Sequence, residues 1–336
     1  MERFAQIQTW LQRVLPGEIF DLAPASSDAS FRRYFRVSLG QRSLTAQRSL
    51  IVMDAPPQQE NCTSFIHVAQ LFAAAGVHVP QILAQDLTQG FLLLSDLGCD
   101  TYLAQLNDAS ADALYRDANA ALIKIQLASK PDQLPPYDAA HLLRELRLFP
   151  EWYVAKHLQV QLTPSQTAVL ENALQLILSQ VLAQPTVYVH RDYHARNLMC
   201  SEPNPGVLDF QDAVLGPITY DLASLYKDAY IAWDEERVLD WTIRYWEMAK
   251  QAHLPVADDF GAFYRDFEWM GIQRHLKVLG IFARLYHRDG KAGYLKDMPL
   301  VLYYLRSACE RYRALGPLLQ LLDELHGSEQ SVGYTF

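Results

Sequence analysis

No run of about 18 uninterrupted apolar residues occurs in this chain, so no segment reads as a helical bilayer span. The opening stretch MERFAQIQTWLQRVLPG lacks a basic start leading into an apolar run and a cleavage site, so it does not read as a signal peptide. Positive charge is in short supply. Lys and Arg total 29 against 38 Asp and Glu, a formal net charge of −9. That balance argues against general affinity for nucleic acid or anionic membrane, while allowing a local basic patch. Cysteine is scarce as well: Cys62, Cys99, Cys200 and Cys309 lie far apart with no paired metal-ligand spacing. They read as buried free thiols, which fits a reducing cytoplasm. Glycine-rich phosphate loops are missing, since neither G-x-G-x-x-G nor G-x-x-x-x-G-K-[ST] occurs. What remains is 50% hydrophobic and 20% charged over 336 residues. This predicts a packed core in one large or two modest domains rather than disorder.

Phe4, Ile7, Leu11, Val14 and Leu15 recur at helical spacing, predicting a helix that stops before Pro16-Gly17. SFRRYFRV (30–37) and SLIVMDA (49–55) then read as an antiparallel strand pair. A helix carrying Phe65, Ile66, Ala69 and Phe72 follows, and after the GVHVP turn come two strand-like segments at 81–86 and 90–96. From about residue 100 the pattern turns helical, near 109–129, 138–157, 163–183, 235–252, 257–286 and 297–325. Two short strand signals, TVYVH and GVLDF, interrupt it. The expected organisation is α+β: a small antiparallel-sheet lobe over 1–97 and a larger helical lobe over 98–336, joined at SDLG.

The interruption carries the chemistry. YVHRDYHARNLM (188–199) gathers His190, Arg191, Asp192, His194 and Arg196 into seven positions. A loop leaving a strand at His190 can aim Asp192 into a cleft. Asn197 can turn its amide oxygen toward an ion, and Asp209 in VLDF offers a carboxylate to the same ion. Oxygen ligands of this kind suit magnesium, which takes one or two protein groups together with substrate phosphates and water. A further carboxylate beside a metal-bound triphosphate is what phosphoryl transfer to a hydroxyl needs.

The spacing His190-x-Asp192-x-x-x-x-Asn197 with Asp209 resembles the kinase catalytic loop and metal-binding aspartate, in the form found in aminoglycoside phosphotransferases and choline-kinase-like enzymes. SSDASFRRYFRV, IVMDAPPQQENC, LFPEWYV, NPGVLDFQDAVLGPITYD and QRHLKVLGIFARL extend the resemblance over nearly the whole chain. The motifs are similar to those of the anomeric amino-sugar kinases of bacterial cell-wall recycling, which act on N-acetylmuramate and N-acetylglucosamine. The resemblance implies a bilobal protein-kinase-like fold with its active site in the cleft between lobes, ATP and Mg²⁺ as cofactors, and a small amino sugar as acceptor. It implies Asp192 as the base that orients the sugar hydroxyl, and Asn197 and Asp209 as magnesium ligands. His190 would hold the loop. Asp221 would brace it from a helix start or serve only as a helix cap. Arg196 would neutralise phosphate charge or form a surface ion pair.

Two parts of the kinase pattern are missing. In place of the glycine-rich loop, ASSDASF (25–31) offers Ser26, Ser27, Ser30 and turn N–H groups to phosphates, or is an ordinary Ser-rich turn. In place of the third-strand lysine stand Met53 and Asp54, and Glu60 is weakly placed as the helix glutamate. Nucleotide charge must then be met by Arg32, Arg33 or Arg36, with Arg33 on the face opposite the other two. The expected nucleotide set is Ser27, Ser30 and Arg33, an adenine stack among Tyr34, Val52 and Leu94, and backbone groups from Ser95 to Leu97.

Arg274, Lys277, Arg284, Arg288 and Lys291 fall within about one 100° sector of a helix. That stripe either meets an anionic acceptor group, such as the lactyl carboxylate of N-acetylmuramate, or is a solvated face. Glu145, Trp152 and Tyr153 offer a sugar platform or core packing. The rival readings are an aminoglycoside or other small-alcohol phosphotransferase, which the basic stripe disfavours, and a non-catalytic pseudokinase. No nucleic acid, membrane or obligate protein partner is expected.

Overall fold

The pairing expected between 30–37 and 49–55 is present: Arg33–Leu39 runs antiparallel to Ser49–Asp54, with Arg33 opposite Asp54 and Ser38 opposite Ser49. The computed structural model describes residues 2–27, 31–40 and 48–326. In chain order its elements begin with α1 (Glu2–Val14), β1 (Phe20–Ser27), β2 (Arg33–Leu39), β3 (Ser49–Asp54), α2 (Cys62–Ala74), β4 (Ile82–Asp86) and β5 (Phe91–Ser95). Next come α3 (Tyr102–Gln105), α4 (Ala111–Leu127), α5 (Ala139–Leu146), a π-helical segment (Phe149–His157) and α6 (Pro164–Leu182). Four short strands follow: β6 (Thr186–Val189), β7 (Leu198–Met199), β8 (Gly206–Val207) and β9 (Val214–Pro217). The chain closes with α7 (Tyr220–Tyr226), α8 (Glu235–Gln251), α9 (Phe260–Asp289), α10 (Met298–Arg311) and α11 (Gly316–His326). Among the described residues, no helix is long and apolar enough to cross a membrane.

The chain forms two compact units, Met1–Lys124 with Arg196–Asp212, and Ile125–Ala195 with Ala213–Phe336. The first holds a five-stranded antiparallel sheet in the order β1-β2-β3-β5-β4. Strand alternation sorts its side chains. Phe35 and Val37 of β2, Leu50 and Val52 of β3, and Phe91 and Leu93 of β5 pack under Ile7, Trp10 and Leu11 of α1. Burying a large apolar side chain contributes about 1.5–3 kcal/mol, so this cluster fixes both the sheet register and the seat of α1. The opposite face, with Tyr34, Arg36 and Ile51, is left to line a cavity. The β1 strand was not expected. Its Pro24 is tolerated because β1 is the sheet edge, where a missing N–H breaks no ladder between central strands.

The second unit is built on α9, whose residues Phe267 to Leu279 are all buried. A helix buried all round needs close neighbours, and Gly280 provides one: a Cβ there would stand 2.4 Å from the backbone carbon of Leu148. The backbone between α5 and the π-helical segment therefore rests directly on α9. The helix expected over 138–157 divides at this point. The π-helical segment has Pro150 in its first turn and wider bonding, with Leu158 N–H reaching the Tyr153 carbonyl at 2.9 Å. The stretch expected as helix over 297–325 also divides, into α10 and α11 around a 3₁₀ turn at Arg313–Leu315.

Candidate active site

The first unit carries a cavity of about 390 Å³. Tyr34, Ile51 and Leu94 form its apolar walls, the turn from Ser95 to Cys99 its rim, and Asn197, Leu208, Asp209 and Phe210 another side. The rim is tied down by Arg36. Its guanidinium donates to Asp96 Oδ2 at 2.6 Å and Oδ1 at 3.2 Å, and to the Gly98 carbonyl at 2.9 Å. Gly98 takes φ +98, a conformation that favours glycine. Burial pushes the Asp96 carboxyl up, but Arg36 and the Gly98 N–H outweigh it and hold it below the usual carboxylate range.

Asn197 and Asp209 meet because a hairpin brings them together. Leu198 pairs with Val207 and Met199 with Gly206, and Leu208 N–H donates to the Asn197 carbonyl at 2.9 Å. Asn197 Nδ2 then donates to Asp209 Oδ2 at 3.3 Å, and Gln211 Nε2 to Asp209 Oδ1 at 2.8 Å. Asp209 adopts φ +61, a left-handed conformation that Asp tolerates better than most residues. Among the described residues, no three His, Cys, Asp or Glu side chains gather into a metal-binding group. The donor set is one carboxylate and one amide. That is too thin for a zinc cage, but it fits a hard divalent cation that completes its shell with phosphate and water.

In the second unit the loop that begins at His190 leaves β6, which pairs with β9. Asp221, in the first turn of α7, accepts the N–H groups of His190 at 2.7 Å and Arg191 at 3.0 Å, so its carboxylate braces the loop; the N-cap of α7 is Thr219. Burial pushes the Asp221 carboxyl up to about 7. His190 is fully buried, its Nδ1 lies 3.2 Å from Asp192 N–H, and its ring packs edge-on against Tyr193. Ala195 N–H donates to Asp228 Oδ2 at 3.0 Å and closes the far end of the loop.

Around Asp192 stand buried cations. Burial alone would raise its pKa, but Lys277, then Arg274, His194 and Arg191, outweigh that and hold it at about 2. Lys277 Nζ lies 3.0 Å from Glu145 Oε1 and donates to Tyr220 Oη at 2.9 Å. Arg274 Nη1 donates to the Arg191 carbonyl at 3.1 Å and to Tyr220 Oη at 3.3 Å. Glu145 also takes the Arg191 guanidinium and the Tyr137 hydroxyl. Together these cations favour the charged form of Asp192, a few residues beyond the end of β6.

Residues 21–259 match the phosphotransferase enzyme family. The chain belongs to that family. The phosphotransferase is 53% identical over 333 residues to the N-acetylmuramate/N-acetylglucosamine kinase of Pseudomonas aeruginosa, covering 96% of this chain and 97% of that one. It is 49% identical over 341 residues to the protein of the same name from Neisseria meningitidis serogroup B, covering 100% of both. Its fold is that of solved kinase-like structures. A choline/ethanolamine kinase family protein from Mesorhizobium loti aligns with TM-score 0.65 at 13% identity, over 96% of this chain and 99% of that one. ADP-bound aminoglycoside phosphotransferase APH(2'')-Ib aligns with TM-score 0.57 at 16% identity, over 89% of this chain and 97% of that one.

Of the residues singled out from the sequence of this phosphotransferase, Tyr34, Leu94, Ser95, Leu97, Arg196, Asn197 and Asp209 line one cavity. Val52 does not: it lies in the core under α1, and Ile51 takes the wall position expected of it. Arg33 does not either. Its guanidinium grips Asp54, which is fully buried and also held by Arg3, on the α1 side of the sheet. Ser27 ends β1, and Ser30 lies outside the described residues. In the other unit His190, Asp192, Asp221, Arg274 and Glu145 come together, but the Glu145 carboxylate faces three protein donors rather than an open platform. Tyr153 is buried, stacked on Phe149 and His157 with its hydroxyl against His326, while Trp152 is half-buried beside it. The basic stripe divides: Arg274 and Lys277 are buried, Arg288 is exposed, and Lys291 lies beyond the end of α9. Cys99 is exposed, unlike the buried Cys62 and Cys309. The reading from sequence missed Ile51, Phe210 and Gln211. It held Arg36 and Lys277 only as members of basic clusters, with nothing to separate them from their neighbours.

Proposed function

We propose that this phosphotransferase transfers the γ-phosphoryl group of ATP to the anomeric hydroxyl of N-acetylmuramate and N-acetylglucosamine, in the cytoplasm, as a step of cell-wall sugar recycling. The observation that carries the chemistry is the position of Asp192, just past β6 in a loop whose His190 and Arg191 N–H groups are held by Asp221. The acceptor follows from near-full-length identity of about one half to kinases named for these two sugars. Residues 1–97 act as the nucleotide lobe and 98–336 as the catalytic and sugar-binding lobe.

On this reading the adenine lies between Tyr34, Ile51 and Leu94, with backbone groups of Ser95 to Leu97 at its edge and Arg196 toward the phosphates. Asn197 and Asp209 would hold Mg²⁺, which would supply neutralisation of the phosphate charge. Asp192 accepts the hydrogen bond of the anomeric O–H and aims its oxygen at the γ-phosphorus. As the new O–P bond forms, the bond to the β–γ bridging oxygen breaks, ADP leaves, and the hydroxyl proton passes to Asp192. A carboxylate of low pKa is a weak base, which suits a loose transition state in which positioning counts for more than proton abstraction. Among the described residues no carboxylate lies within ion-pair distance of Arg274, and its remaining donors suit the carboxylate of N-acetylmuramate. Trp152 offers an aromatic face to the pyranose.

The test is to incubate the protein with ATP, Mg²⁺ and each sugar, and to locate the new phosphate by phosphorus NMR. A phosphorus signal coupled to the anomeric proton is expected. Phosphate on another hydroxyl, or no sugar phosphate at all, sinks the reading.

A further inference from the structure

We infer that Glu145 is a positioning residue of the phosphoryl transfer, holding Arg191 and Lys277 so that Asp192 keeps its direction, and that it does not touch the acceptor. The inference rests on the reading of Asp192 as the base.

Glu145 lies in the last turn of helix α5 and its side chain is only 13% exposed. Its carboxylate is engaged by the Arg191 guanidinium, by Lys277 Nζ at 3.0 Å and by the Tyr137 hydroxyl. A carboxylate has about four lone-pair sites, so three strong donors leave little for a sugar hydroxyl. Burial pushes this carboxyl up, but Lys277 and Arg191 more than reverse that.

Arg191 explains why the grip matters. It adopts φ +77, a left-handed conformation that a residue with a Cβ keeps only when its surroundings impose it. Asp221 holds its N–H at 3.0 Å and Arg274 its carbonyl at 3.1 Å. Glu145 adds a hold on the side chain, from a different helix. Asp192 is the next residue, so any relaxation of Arg191 turns the base. Lys277 extends the same hold, because it spans Glu145 on α5 and Tyr220 on α7, next to the Asp221 that anchors the loop. Glu145 is thus the shared counter-ion of buried Lys277 and half-buried Arg191, and removing its charge disturbs both at once.

The test compares the wild type with Glu145→Gln and Glu145→Asp, after thermal melting shows each to be folded. For Glu145→Gln, kcat should fall by about 10- to 100-fold, the loss that a small misplacement of a reacting group produces. The KM values for the acceptor sugar and for MgATP should stay within about twofold. Glu145→Asp, which keeps the charge, should recover part of kcat. Amide hydrogen exchange at residues 190–193 should accelerate by about tenfold in Glu145→Gln while α8 stays unchanged. If Glu145→Gln does not fold, Glu145→Gln/Lys277→Met removes the stranded ammonium and takes its place. A raised acceptor KM with kcat retained, or unchanged exchange over 190–193, overturns the inference. A wild type that phosphorylates neither sugar defeats the kinase reading instead, and the exchange comparison still tests the positioning role.

Discussion

Asn197 Nδ2 lies 3.3 Å from Asp209 Oδ2, so two residues twelve positions apart in sequence hold each other at the edge of the cavity. The contact points the amide nitrogen at the carboxylate, so under the proposed reading the amide oxygen is the end that would face Mg²⁺. Gln211 steadies the other oxygen of Asp209 at 2.8 Å. Two neutral amides thus orient the Asp209 carboxylate, one from each side.

Replacing Asp209 with Ala should therefore abolish saturable MgATP binding, because it removes the charged ligand of the ion and leaves one amide. Calorimetry with MgATP checks this. Unchanged affinity would reassign the metal site.

Asp192→Asn should lower kcat by about 10²–10⁴-fold, the usual contribution of a general base, with little change in MgATP affinity. The same variant has a stability signature. Because the Asp192 carboxyl is held down at about 2, its stabilising contribution is complete above the ordinary carboxylate range and is lost as pH falls from there toward 2. Asp192→Asn should remove that part of the acid destabilisation, read from denaturant midpoints over this window. An acid limb identical to wild type would contradict the placement of the cations around Asp192.

Arg274→Ala should raise KM for N-acetylmuramate more than for N-acetylglucosamine, by about tenfold or more for a charge-assisted contact. Because Arg274 also holds the Arg191 carbonyl, kcat should fall on both sugars. Equal changes in KM for the two sugars would confine Arg274 to the loop.

Gly280→Ala places a methyl group 2.4 Å from the Leu148 backbone carbon and 2.5 Å from its oxygen, where the neighbour is backbone and cannot turn aside. It should destabilise the fold by about 1–3 kcal/mol. Activity should fall as well, since Lys277 lies one turn earlier on α9 and Glu145 just before Leu148. A melting temperature within a degree of wild type would show that the two backbones separate freely.

That a loop follows the strand ending at Val189, and that Asn197 approaches Asp209, was legible from residue types and spacing. The strand pairs were legible because β-branched and aromatic runs sit between clear turns. The face of each strand was not. Val52 and Ile51 are both apolar, and a shift of one residue exchanges wall for core, so only the presence of α1 on one side of the sheet decides between them. The same ambiguity put Arg33 at the nucleotide, whereas Asp54 holds it on the far side. Glu145 and Lys277 lie 132 positions apart, and no local pattern announces their ion pair. The break at Leu148 was hidden for a different reason: helical periodicity continues through it, and only the close approach of Gly280 requires the chain to step outward there.

The first compact unit is discontinuous, formed by Met1–Lys124 and Arg196–Asp212, and this governs how the protein can be made. On the ribosome the sheet and its apolar walls emerge first. The hairpin that supplies Asn197 and Asp209 emerges only after the seventy-one residues Ile125–Ala195 have been synthesised. It then docks on segments already present, with Val207 N–H bonded to the His78 carbonyl and Cys200 N–H to the Asp100 carbonyl, both at 2.8 Å. A nascent chain stalled before Arg196 therefore lacks Asn197, Asp209 and the side of the cavity they form. An excised N-terminal segment lacks residues 196–212 for the same reason, and with them one side of the cavity.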